Sequence, residues 1–127
     1  MGMVMTGGES GTSLDSLATG EDISVDSLFK ALKDGKRRQI LQALETESEM
    51  SLEELTDILA EAADGPVGPG VWQRLQVQLD HVHLPLLEDI GLVTYENRTV
   101  ARTEYPAAVD DLLRAAHECE ERLRSSV

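Results

Sequence analysis

Aromatic side chains are nearly missing from this chain, at 3% of its 127 residues. A single small domain of that length therefore has to build its modest core from aliphatic groups. No apolar run approaches the ~18 residues that a membrane span requires. A lone cysteine, Cys119, excludes an internal disulfide framework. There is no CxxC or HExxH pattern, no glycine-rich phosphate loop and no nucleophile motif, so neither a metal centre nor an enzyme is expected, and no cofactor is implied. His81 and His83 do not change that expectation. Residues two apart on a regular α-helix point about 200° from each other, which suits packed or capping histidines better than a shared ion. His117 and Cys119 have the same spacing. The first residues lack the basic start and apolar centre of a secretion signal, and a cytoplasmic location is the expectation.

Lysine is scarce too, confined to Lys30, Lys33 and Lys36, while carboxylates abound: the net charge is −13. The balance matches proteins of salt-loving archaea. At molar salt the Debye length shrinks to about 3 Å, so self-repulsion is screened and an acidic surface preserves solubility. An acidic protein that binds other proteins is the alternative. From Glu45 to Asp64 carboxylates occur without any basic residue. They alternate around a helix, as a solvated face does, and do not converge as a catalytic pair would.

Residues 1–22 are rich in Gly, Ser and Thr and read as a flexible tail. Residues 23–104 form the domain body. Ser24 is placed to cap a first helix that buries Leu28, Phe29 and Leu32. Asp34-Gly35 interrupts it, and KRRQILQALET resumes with Ile40, Leu41 and Leu44 inward. Ser51 and Glu54 form a capping box ahead of a helix striped by Leu55, Ile58, Leu59 and Ala62. Residues 64–70, DGPVGPG, read as a loop. A third helix follows, with Trp72, Leu75, Leu79, Val82, Leu86 and Ile90 along one face. Pro85 predicts a kink or break just before it, and Gly91 a left-handed terminator. Leu92–Tyr95 and Thr99–Arg102 read as paired strands about a turn of Glu96, Asn97 and Arg98, with Asn97 best suited to positive φ. Pro106 fits the first turn of a last helix, residues 105–127. There Val109, Leu112, Ala116, Cys119 and Leu123 make a heptad-like seam, suited to a homodimer or to folding back on the same domain. On a dimer seam, Cys119 could serve as a redox switch, although a lone cysteine is more often a buried bystander.

Helix, glycine and hairpin, preceded by two amphipathic helices, is the order of a winged helix-turn-helix: mainly α with a small β-hairpin. The segments LFKALKDGKRRQILQAL, SLEELTDILA and LDHVHLPLLEDIGLVTYENRTV, over about residues 24–104, resemble the winged-helix domains widespread in haloarchaeal proteins. These are broadly similar to the ArsR and MarR groups of regulators. The resemblance implies the fold and, beyond it, a sequence-specific transcription regulator binding double-stranded DNA. Three departures stand out. The loop before the third helix exceeds the usual 3–4-residue turn, the paired cysteines of metal-sensing ArsR members are missing from that helix, and the helix is poor in basic residues.

For DNA binding, Gln73, Arg74, Gln76 and Gln78 are the groove-facing candidates. Glutamine can pair with adenine and arginine with guanine through two hydrogen bonds each. Arg98 and Arg102 are candidates for phosphate or minor-groove contacts, and Lys36, Arg37 and Arg38 for a backbone clamp. Each of these is also an ordinary surface residue. A protein–protein module on the same fold remains the rival reading, favoured by the charge. Small-ligand sensing is neither supported nor excluded.

Overall fold

The computed structural model describes residues 23–63 and 68–125. The tail assigned to residues 1–22 and most of the loop before the third helix lie outside them. Ser24 opens helix α1 (Val25–Leu32) by accepting the Ser27 N–H at 3.0 Å. Asp34 opens α2 (Gly35–Thr46) by accepting from Lys36 N–H at 2.8 Å, so the Asp34-Gly35 interruption is the start of a new helix. Ile40, Leu41 and Leu44 are fully buried. On α1 the inward residues are Leu28, Ala31 and Leu32, whereas Phe29 is 58% exposed. At 100° per residue, positions 29 and 31 flank the 28/32 face at equal angles, so the side on which α2 and the later helix Leu84–Ile90 pack decides that Ala31 is covered and Phe29 is not.

A short strand unforeseen in the sequence follows, β1 (Glu49–Ser51). Ser51 ends it and caps α3 (Leu52–Ala62) through the expected reciprocal capping box with Glu54. The buried stripe of α3 is Leu52, Leu55, Thr56, Leu59 and Ala60. Ile58 and Ala62, expected inward, are exposed. Pro69, expected in the loop, is instead the first residue of α4 (Pro69–Gln78), where its missing N–H costs nothing.

The α4 rod does not break at Pro85. It passes through one π-helical turn (Leu79–His83) into α5 (Leu84–Ile90). Leu84 N–H reaches back five residues to Leu79 C=O, so the ladder slips by one just before the proline, which has no N–H to offer. The extra residue rotates everything downstream. His83, Leu84 and Leu87 are buried, Val82 is 51% exposed, and Leu86 and Ile90 are only half-buried.

Gly91 ends the rod at φ 102°, with its N–H and that of Leu92 both returning to Leu87 C=O. Strands β2 (Val93–Glu96) and β3 (Thr99–Arg102) then pair antiparallel around Asn97 and Arg98, and both turn residues have positive φ, 53° and 59°. That matches a two-residue turn with left-handed conformation at both centres. It gives Arg98 the conformation foreseen only for Asn97. β1 adds to β3, giving the sheet order β1-β3-β2. The architecture is a winged helix-turn-helix, mainly α with a small three-stranded sheet.

Helix α6 (Ala107–Ser125) closes the fold. Its Val109 and Leu113 are 1% exposed, sunk in the common core. Val109, a candidate for the dimer seam, is therefore used up inside its own domain. Leu112 and Ala116 are half-buried, while Cys119 and Leu123 are open to solvent. Cys119 is thus not a buried bystander.

Candidate functional site

Helix α4 is held by its inner side. Leu75 and Leu79 are buried, and the Trp72 indole Nε1 donates to Asp57 Oδ1 on α3 at 2.7 Å. The far end of the rod is tied to the sheet. The Tyr95 hydroxyl donates to Asp80 Oδ1 at 2.6 Å, and Tyr95 N–H donates to Glu88 Oε2 at 3.1 Å. Burial, with the Asp80 carboxylate beside it, pushes the Tyr95 phenol up to about 12. Asp80, Glu88 and Tyr95 were not singled out by sequence reasoning. Nothing in their spacing announces contacts between separate elements.

With its inner side fixed, α4 presents Gln73, Arg74 and Gln78 to solvent around a Val77 that is 53% exposed. Gln76 departs from this set: it is half-buried, and its Nε2 lies in the protein without a hydrogen-bond partner among the described residues. It does not belong to the outer face. Lys36 of α2 is exposed and shares a groove with Arg74 and Gln78.

The remaining basic candidates are occupied. Arg37, expected in a backbone clamp, is 5% exposed. Its Nε donates to Ala31 C=O at 2.9 Å and its Nη2 to Lys30 C=O at 3.0 Å, satisfying carbonyls at the end of α1. Its Nη1 lies 3.1 Å from His83 Nδ1. An arginine has only donors, so that imidazole nitrogen must be the acceptor and the ring neutral. Burial foremost, with the Arg37 and Lys36 cations opposing a second charge, holds His83 below its ordinary 6.5, against the pull of Asp34. Arg38 donates to Leu32 C=O at 2.5 Å and pairs with Glu120 of α6.

Arg98 and Arg102 also differ from the expectation. Arg98 pairs with Glu53 at the start of α3, with Nη2–Oε2 at 2.5 Å, and its hydrogen bond holds the Glu53 carboxyl below the usual range. Leu52 N–H donates to Arg98 C=O at 2.9 Å, so the wing tip is fastened to α3. Arg102 turns toward α6, 3.2 Å from Asp110 Oδ2 and 4.7 Å above the Tyr105 ring, at the other end of the hairpin. Of the nine candidates, Lys36, Gln73, Arg74 and Gln78 are thus the exposed side chains with no hydrogen bond or ion pair to a described residue.

His81 is exposed beside Asp80, at 3.2 Å, and His83 is buried against Arg37, so the two do not converge. Among the described residues no group of three or more His, Cys, Asp and Glu side chains is placed to hold a metal ion. Nor is any helix there long and apolar enough to cross a membrane.

Residues 29–103, more than half of the chain, match the profile of a family described as a domain of unknown function, DUF7344. The chain belongs to the DUF7344 family. The match begins within α1 and ends just after β3, so it takes in the helices and sheet described above and leaves out α6. No curated protein and no solved structure matches the chain.

Proposed function

We propose that this DUF7344 protein is a sequence-specific DNA-binding transcription regulator of a salt-adapted archaeon, related to the haloarchaeal winged-helix domains that its sequence resembles. The observation that carries the reading is the outer face of α4. Gln73, Arg74 and Gln78 are exposed, and Lys36 lies alongside. In a winged helix this is the element that enters the major groove, where glutamine and arginine recognise adenine and guanine edges. The protein acts as a homodimer, placing two such helices about one DNA turn (~34 Å) apart. Leu112, Ala116, Cys119 and Leu123 of α6 are the seam residues that make that contact. The location is cytoplasmic.

The protein–protein module is the second reading. The net charge of −13 and the neutralisation of Arg98 by Glu53 favour it. Fluorescence anisotropy against a random duplex pool, followed by selection of bound sequences and repeated from low to molar KCl, separates the two. Salt-sensitive binding that enriches a motif supports the regulator. A folded, monodisperse protein that binds no duplex at any salt leaves only the interaction module. Sedimentation of the wild type and a Leu123→Glu variant tests the dimer, which the variant should weaken.

A further inference from the structure

The arginines of this chain are largely neutralised by the chain itself. Arg37 is held by carbonyls, and Arg38, Arg98, Arg102, Arg114 and Arg124 each pair with a carboxylate. Arg74 and Lys36 form no ion pair with any described residue, and both border one groove of about 340 Å³ between α2, α3 and α4. The walls beneath them are Leu59, Val71 and Leu75, and Val71 is left 38% exposed. Gln78 contributes an amide at the edge. Lys36 and Arg74, unpaired with any described residue, thus stand over an aliphatic floor. They suit a molecule with one anionic end and one apolar end, because the long stems of Lys and Arg can line the apolar part while their heads reach the charge.

We propose that this groove binds a small amphipathic anion, a carboxylate bearing an apolar chain or ring, and that the bound ligand withdraws Lys36 and Arg74 from DNA. The anion-binding half stands on the groove alone, and the competition half rests on the DNA-binding reading. Isothermal titration calorimetry reads occupancy of the groove directly. The full-length protein is titrated with octanoate, octanol and octyltrimethylammonium. Octanoate should give a saturable binding isotherm and bind at least about tenfold more tightly than octanol, with the cation weakest, as expected for charge-assisted contacts. The Lys36→Ala/Arg74→Ala double variant, altered only at exposed side chains, should lose that preference and treat octanoate and octanol alike. No saturable isotherm with octanoate, or equal binding of all three amphiphiles to the wild type, overturns the site. If a duplex binds and saturating octanoate fails to displace it, the competition half is overturned. If no duplex binds at all, the DNA-binding reading falls, while the octanoate titration still decides the groove.

Discussion

Two basic regions of this molecule sit close together and serve opposite ends. At the start of α2, Lys36, Arg37 and Arg38 are consecutive, yet Arg37 and Arg38 turn inward to finish α1 and fasten α6. Helix α4 carries a single arginine in a stretch poor in basic residues, and that arginine is exposed and pairs with no described carboxylate. Density of charge along the sequence is therefore a poor guide to availability. A short helix whose last carbonyls are buried needs donors, and an arginine one turn into the next helix supplies several from one planar group.

The comparison sharpens most through packing on either side of the π turn. Leu87→Ala removes a fully buried side chain and should cost about 2–5 kcal/mol. Val82→Ala, on the face that the slipped ladder turned outward, should cost about 0.5 kcal/mol or less. Urea denaturation of both variants checks the phase, and equal losses would mean that the rod keeps α-helical register through Pro85.

Next in size is the contrast inside the basic cluster. Arg37→Ala leaves the Lys30 and Ala31 carbonyls and His83 Nδ1 without their donor, a loss of about 2–4 kcal/mol. Lys36→Ala, its exposed neighbour, should stay within about 0.5 kcal/mol of wild type. Equal stabilities for the two variants would break the distinction between them.

A smaller effect follows pH. His83 binds its proton less readily folded than unfolded, so between its folded value and about 6.5 the unfolded chain holds more protons. Stability is fully present above that window and declines as pH falls through it. Glu45 works the other way at lower pH: burial, and then Asp110, raise its carboxyl, so its protonation favours the folded state. Denaturation midpoints at pH 7.5 and 5.5 should show the acid loss in wild type. They should show less of it in His83→Asn, which keeps an acceptor for Arg37 but cannot be charged.

Much of this fold is legible in the sequence, for reasons that stay local. Ser24, the Ser51–Glu54 box and Gly91 act within one helical turn of themselves, and the stripe of Ile40, Leu41 and Leu44 needs only a regular helix. The features missed depend on distant partners or on a broken period. β1 is three residues long and exists because β3, some fifty residues later, offers it a ladder. Spacing arithmetic carried from Trp72 selects Val82, Leu86 and Ile90, but the π turn adds one residue and hands the core to His83, Leu84 and Leu87. Of the candidate site, Gln73, Arg74, Gln78 and Lys36 stand where a surface reading puts them. Arg37, Arg98 and Arg102 found partners that no spacing rule reveals.

The salt dependence of duplex binding tests the central claim most directly. Removing one cation that touches a phosphate lowers the slope of log K against log salt by about one. The account predicts that drop for Lys36→Ala, with slopes unchanged for Arg98→Ala and Arg102→Ala, whose cations are already paired, while Arg74→Ala should weaken binding to the selected sequence by about 1–3 kcal/mol and relax specificity. Slopes that depend on Arg98 and Arg102 but ignore Lys36 would contradict it.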